Sequence, residues 1–183
     1  GALWWLCANV TTSAEPFDAV WELADEIRCD PTGAQLAAVV PDDALVATIG
    51  DPDVIGAGLI RRGDVRVLAL DAGHTATSFV RRMERYDVDV EPVDSGVAGV
   101  VAKQADLVLV EALAVDSQRA IVPIGSSTIA AAASAWGTPV WLVAGVGRRL
   151  PSGFIDAMVA QVESMSDEVD PWNLDVEVLP TSM

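Results

Sequence analysis

The chain is poor in the residues that most often carry chemistry. Of its 183 residues, two are cysteine and one is histidine. Cys7 and Cys29 cannot staple a disulfide scaffold or build a cysteine-based metal site, and a single histidine argues against zinc. Cys7 has no histidine or basic neighbour in sequence to draw out a thiolate, so it is no candidate nucleophile. Basic residues are scarce as well: 11 Lys and Arg against 27 Asp and Glu leave a formal charge of -16. A field of that sign repels phosphate backbones and weighs against general nucleic-acid binding, while leaving room for a small anion in a local basic pocket. No apolar run approaches the roughly 18 residues a membrane span needs. The opening stretch lacks a basic flank and a clear export cleavage pattern. Phosphate-loop chemistry is missing, because no Gly-Lys-Ser/Thr occurs. Gly145-Val146-Gly147-Arg148 lacks the third glycine of a dinucleotide fingerprint and comes too late in the chain. These absences lead to the expectation of a cytoplasmic protein without metal or cofactor, away from membranes.

What is present suits one folded domain. The hydrophobic fraction is 51% and the charged fraction 21%, enough apolar material for a sizeable core. Residues 1-43 read as a helical segment. Trp4, Trp5, Phe17 and Trp21 crowd into it, and Phe17, Val20, Trp21, Ala24 and Ile27 recur at helical spacing on one face. Pro16 suits a first helical turn, and a short helix is expected over Thr32-Val39. Residues 44-183 read as a Rossmann-like α/β domain. Strands are expected at Leu45-Ile49, Val65-Leu70, Val88-Val93, Leu107-Val110, Ile121-Pro123, Val140-Val143 and Val176-Leu179. Helix-length segments separate most of them. That alternation predicts parallel βαβ units in a three-layer sandwich, with a mostly parallel sheet of six or seven strands. Val140-Val143 is apolar enough to be expected under cover on both faces.

In such folds ligands sit at the carboxyl ends of the strands. Asp71-Ala72-Gly73-His74 ends one strand, and Asp71 with His74 can act as base and orienting partner, or simply start a helix. Asp94 and Ser95 end the next, offering a carboxylate and a hydroxyl to a sugar or phosphate, or an ordinary helix cap. Gly125-Ser126-Ser127 enters an alanine-rich helix whose free amides attract anions. Arg148-Arg149 follow the most apolar strand and can clamp a phosphate or pair with acids across an interface. Arg61-Arg62-Arg66 and Arg81-Arg82-Arg85 read as outward helix faces.

The strand from Val65 to Asp71, the run from Val88 to Ser95, Ala105 to Val110, Ile124-Gly125-Ser126 with its alanine helix, and Thr138 to Ala144 together resemble the carboxyl-terminal domain of the translation initiation factor 2B-like family. That family includes regulatory subunits of the eukaryotic nucleotide-exchange factor and the isomerases of methylthioribose-1-phosphate and ribose-1,5-bisphosphate. The likeness runs from about Leu45 to the end of the chain. In the isomerases the resemblance implies a catalytic cysteine after the first strand, where this chain has Ala47-Thr48-Ile49-Gly50-Asp51. It implies a Gly-Ala-Asp motif after the fourth strand, where Glu111-Ala112-Leu113 stand. The Asn-Lys-Ile-Gly-Thr motif that helps to hold the sugar phosphate becomes Val122-Pro123-Ile124-Gly125-Ser126, and Glu-Ser-Arg-Pro becomes Asp71-Ala72-Gly73-His74. Both the relay and the phosphate clamp are depleted. The chain is therefore expected to have no catalytic residues of the family type and to act as a regulatory or ligand-binding homodimer. A phosphorylated sugar or nucleotide is expected around Asp71, His74, Asp94, Ser95, Gly125, Ser126 and Arg148. The alternative is a diverged isomerase-class enzyme using Asp71, His74, Glu111 or Asp116. The dimer expectation also rests on apolar segments at Val97-Val115 and Ile129-Val146, with Arg119, Arg148 or Arg149 facing a partner's carboxylates.

Overall fold

A computed structural model describes residues 7, 10–73, 75–168, 170 and 173–182. Two helices come first, α1 (Pro16–Arg28) and α2 (Thr32–Val39). The α/β order follows: β1 (Leu45–Ile49), α3 (Asp53–Arg62), β2 (Arg66–Asp71), α4 (Ala76–Arg85), β3 (Asp89–Asp94), a 3-10 turn (Ser95–Val97), α5 (Ala98–Gln104) and β4 (Leu107–Glu111). After them run β5 (Ala114–Val115), β6 (Arg119–Pro123), α6 (Ser126–Trp136), β7 (Val140–Val143), α7 (Ser152–Glu168) and β8 (Val176–Pro180).

The main sheet has the order β3-β2-β1-β4-β7, and every pairing in it is parallel. Alternate residues of its strands face opposite layers. Val46, Val67, Ala69, Leu107 and Leu109 pack against Leu36 of α2, Ile55 and Leu59 of α3, and Phe79 and Met83 of α4. Ala47, Leu68, Leu70, Val108 and Val110 face Val101 and Ala102 of α5 and Ile129 and Ala133 of α6. Each large apolar side chain buried this way contributes about 1.5–3 kcal/mol, so the two layers hold the three-layer sandwich from both sides.

Two expectations about the sheet are corrected. The parallel sheet has five strands, not six or seven, because β6 and β8 leave it. β6 pairs antiparallel with β5 on one side and β8 on the other, forming a separate three-stranded sheet in the order β5-β6-β8. The second correction concerns β7. It is an edge strand, and Val140, Trp141 and Leu142 are only half-buried while Val143 is buried.

The strand order reverses between β1 and β4. The chain leaves β1 through α3 towards β2 and β3, then crosses back through α5 to β4 on the other side of β1. A crevice outside the carboxyl ends of β1 and β4 is the place where this topology receives ligands.

Candidate functional site

Around that crevice the chain fills its own helix starts with carboxylates. At the end of β4, Glu111 is 5% exposed, and one of its oxygens accepts hydrogen bonds from the amides of Val54 (2.8 Å) and Ile55 (3.0 Å) in the first turn of α3. Burial pushes its pKa up, against the two amides and the nearby Arg148, which favour the charged form; Asp53 adds to the rise. Asp71, at the end of β2, accepts from the amide of Ala76 at the start of α4 (3.2 Å). Asp94, its register neighbour on β3, accepts from Gly96 at the 3-10 turn (2.7 Å). The start of α6 is taken by Glu177 of β8, which accepts from the amide of Ser127 (2.8 Å) and from its hydroxyl (2.6 Å). Asp30 accepts from the amide of Thr32 in α2 (2.8 Å) and, across the chain, from that of Val146 (2.7 Å). Burial alone would raise the pKa of Asp30, but the Thr32 and Val146 hydrogen bonds and the field of Arg148 outweigh it and hold it below 3.8.

The residues singled out in the sequence are therefore placed as follows. Asp71 and Asp94 sit side by side as helix-start acceptors, and Asp94 and Ser95 are exposed on edge strand β3 or just past it. Gly125 adopts φ +87° before α6, where a Cβ would lie 3.0 Å from Ile49 Cδ1. Ser126 is fully buried and its hydroxyl donates to the Pro123 carbonyl (2.6 Å). Arg148 lies beyond the opposite edge strand, β7, and donates to the Leu113 carbonyl (3.3 Å). Asp94 and Arg148 are thus not brought together, since the two edge strands are four spacings of about 4.8 Å apart. His74 lies outside the described residues. Asp116 accepts from the amides of Gln118 and Arg119 (2.7 Å each), which lowers its pKa. Arg119 is paired within its own chain to Asp116 (3.4 Å) and Asp156 (2.5 Å).

Of the hollows at this edge of the sheet, two bear on the site. One, of about 240 Å³, is lined by Gly50, Asp51, Ala72, Thr75, Leu113, Pro123, Ile124, Asp175 and Val176. Its walls are neighbours of the predicted residues: Ala72 follows Asp71, Ile124 precedes Gly125, and Leu113 carries the carbonyl that Arg148 reaches. Gly50 has φ +74°, a backbone state that suits glycine. Asp51 is tied to Arg82 at 2.9 Å. Among the described residues no cation lines this cleft.

The second hollow, about 330 Å³, was not anticipated as a unit. It lies between the α1–α2 segment, the start of α3 and the loop after β7. Arg28, Arg61 and Arg148 line it, together with Asp30, Asp53, Gly33, Ala34 and Ala57. The sequence showed Arg148 as a candidate but offered no signal that α1 and α3 would bring Arg28 and Arg61 to the same place. No group of three or more His, Cys, Asp or Glu among the described residues could hold a metal ion. No helix among them is long and apolar enough to cross a membrane.

Neither a protein-family model nor a curated protein matches this sequence. Solved structures do share its fold. The translation initiation factor eIF-2B of Pyrococcus horikoshii OT3 superposes with a TM-score of 0.74 at 13% identity, over 83% of this chain and 61% of that one. The eIF2B beta structure from Chaetomium thermophilum gives 0.68 at 18% identity, over 91% of this chain and 50% of that one. The delta subunit of eIF-2B from A. fulgidus gives 0.60 at 17% identity, over 76% and 48%. This chain therefore has the fold of the eIF2B subunits and spans between 48% and 61% of the lengths of these three structures.

Proposed function

We propose that this protein is an initiation factor 2B-like regulatory protein that has lost the family's isomerase chemistry, works in the cytoplasm as a homodimer and takes a phosphorylated sugar or nucleotide as a bound signal. One observation carries the first part. Gly50, Leu113 and Pro123, which stand where the resemblance places the catalytic cysteine, the catalytic aspartate and the clamp lysine, all line one cleft. The three positions are thus neighbours in space, as an isomerase site requires, and none offers a nucleophile, an acid or a cation. An aldose–ketose isomerisation needs a proton or hydride relay at the first two sugar carbons, and no such relay is built from these groups. Asp71 and Glu111, the acids a diverged isomerase would use, are engaged at helix starts.

The dimer is supported by apolar surface beside the edge strand. An apolar groove of about 570 Å³ runs along α6 and β7, lined by Ala130, Ala131, Pro139, Val140 and Leu179 among others, and Trp136 next to it is 56% exposed. A second copy of the chain covers such a face without placing like charges against each other. Sedimentation equilibrium at micromolar concentration is expected to give about twice the single-chain 19.2 kDa; a concentration-independent 19.2 kDa species contradicts the dimer. For the chemistry, proton NMR with millimolar methylthioribose-1-phosphate or ribose-1,5-bisphosphate is expected to show no conversion. Conversion that scales with protein overturns the proposal.

A further inference from the structure

Building on the reading that the protein binds a phosphorylated ligand, we infer that the phosphate is held by Arg61 and Arg148 in the cavity between α1–α2 and the start of α3, with Arg28 at its edge, and not in the cleft around Gly50. The charge pattern leads to this assignment by elimination. Helix starts at the carboxyl edge of a parallel sheet are the usual seats for phosphate. Here α3 is occupied by Glu111, α4 by Asp71 and α6 by Glu177. An anion arriving at any of them meets a carboxylate. The cavity under α1–α2 has the opposite character. Three of the chain's 11 cations line one space of about 330 Å³ in a molecule of charge -16.

The pairing of those cations sharpens the contrast. Arg62 is salt-bridged to Asp42 and Asp64, Arg66 to Asp89 and Glu91, Arg82 to Asp51 and Asp53, and Arg119 to Asp116 and Asp156. Among the described residues, Arg61 and Arg148 are the two cations without a salt bridge that line one cavity; Arg148 donates to the Leu113 carbonyl and lies in the field of Asp30 and Glu111. Arg28 is tied to Asp25 by an exposed pair one turn away. Of the two acids in the cavity wall, Asp53 is paired with Arg82, and Asp30 accepts from the amides of Thr32 and Val146 while lying in the field of Arg148. Guanidinium groups left open in this way match the oxygens of a phosphate monoester, which they bind as forked donors. The volume falls in the range of small-ligand sites, and Gly33, Ala34 and Ala57 contribute small residues to the lining beside Ile27, Val54 and Val146.

The site also has a mechanical consequence. Its walls come from two parts of the fold: Arg28, Gly33 and Ala34 from the helical segment, Arg61 and Arg148 from the α/β body. The hydrogen bond from the Val146 amide to Asp30 already spans the two. None of the residues of α1 is buried, and Phe17 and Trp21 are exposed by 86% and 74%. A bound phosphate ester adds a second bridge and stabilises α1 on the body through binding linkage.

The test is calorimetric titration of the purified full chain with ribose 5-phosphate and AMP, using ribose and adenosine as phosphate-free controls. Saturable binding of at least one ester is expected, with no heat from the controls. Arg61→Ala and Arg148→Ala are each expected to weaken binding about tenfold or more, the loss of one charge-assisted contact. Arg81→Ala, on the exposed face of α4, should leave it unchanged. If Arg148→Ala does not fold, Arg61→Ala decides alone, since Arg61 is exposed and its side chain makes no ion pair among the described residues. Ester binding that persists undiminished in Arg61→Ala overturns the site while leaving the ligand-binding reading intact. No ester binding to the wild-type chain overturns both, and turnover of an isomerase substrate overturns only the reading of lost catalysis.

Discussion

The cleft around Gly50 and the cavity around Arg61 open at the same edge of one sheet, yet their walls are built from different material. Backbone turns, proline, leucine and acids enclose the first. Three arginines stand beside two acids and small and aliphatic residues around the second, whereas the first has acids and no cation. The segment Glu111-Ala112-Leu113 runs between them, contributing Leu113 to one and, through the Glu111 carboxylate on the Val54 and Ile55 amides, fixing a wall of the other. The comparison teaches that a strongly acidic chain can saturate its own anion-binding features. When side-chain carboxylates occupy the helix starts, the topology alone no longer says where an anion binds, which is why we place the phosphate at arginines that share a cavity without a salt bridge.

Substitutions along that shared segment test the comparison most severely. Glu111→Ala leaves the buried Ile55 amide and the half-buried Val54 amide without an acceptor and is expected to cost about 3 kcal/mol in urea-induced unfolding. A loss below about 1 kcal/mol would mean that the carboxylate does not hold α3 in place. Asp30→Ala removes the acceptor that joins the helical segment to the loop after β7. A loss of about 2 kcal/mol is expected, with faster hydrogen exchange at the Val146 amide. Because the Asp30 pKa is lowered from 3.8, its contribution should be complete at neutral pH and disappear as the pH falls through that lowered value.

Gly50→Cys places a thiol where the resemblance puts the catalytic one. It should cost about 1 kcal/mol, since φ there is +74°, and it should restore no isomerase turnover because the aspartate and lysine positions stay empty of their chemistry. Turnover from this single change would show that the cleft is an intact site lacking one thiol. The smallest effect is expected from Glu111→Gln. The folded-state pKa of Glu111 is raised above 4.5, so the folded form binds the proton more tightly than the unfolded one. Wild-type stability should therefore fall as pH rises from about 4.5 through the raised value. Glutamine does not titrate, so the variant's stability relative to wild type should rise across that window; a pH-independent difference rules out the buried, perturbed carboxylate.

Much of the fold was legible because strands and helices announce themselves through short-range period. Leu45–Ile49, Val140–Val143 and Thr32–Val39 occur with the bounds their apolar patterns predict, and the alanine-rich helix begins at Ser126 where Gly125-Ser126-Ser127 places its start. Sheet membership was not legible. Ile121-Pro123 and Val176-Leu179 read as strands, but nothing in their apolar character distinguishes a parallel neighbour of β7 from the antiparallel β5-β6-β8 sheet, which depends on pairing over more than fifty residues. Coverage was misread at Val140-Val143 for a related reason: hydrophobicity records what a strand can bury, not how many neighbours arrive. The helical face of Phe17 and Trp21 shows the same limit, since the period predicts the helix while leaving the face uncovered. At the site, the topology rule points to the carboxyl end of the sheet, where both hollows open. It could not foresee that Asp71, Asp94 and Glu111, read as possible ligand groups, would be spent as acceptors for nearby amides. Nor could it foresee Arg28 and Arg61 meeting Arg148, because no local pattern links helices so far apart in sequence.

The central claim is that binding and catalysis have separated: a phosphate held at the arginines, with no chemistry at Gly50. Phosphorus NMR of the wild-type protein with millimolar ribose-1,5-bisphosphate tests both halves in one sample. The account predicts substrate resonances broadened by exchange with the bound state, with broadening reduced in Arg61→Ala and no product signal over hours. A product signal growing in proportion to protein concentration would contradict it.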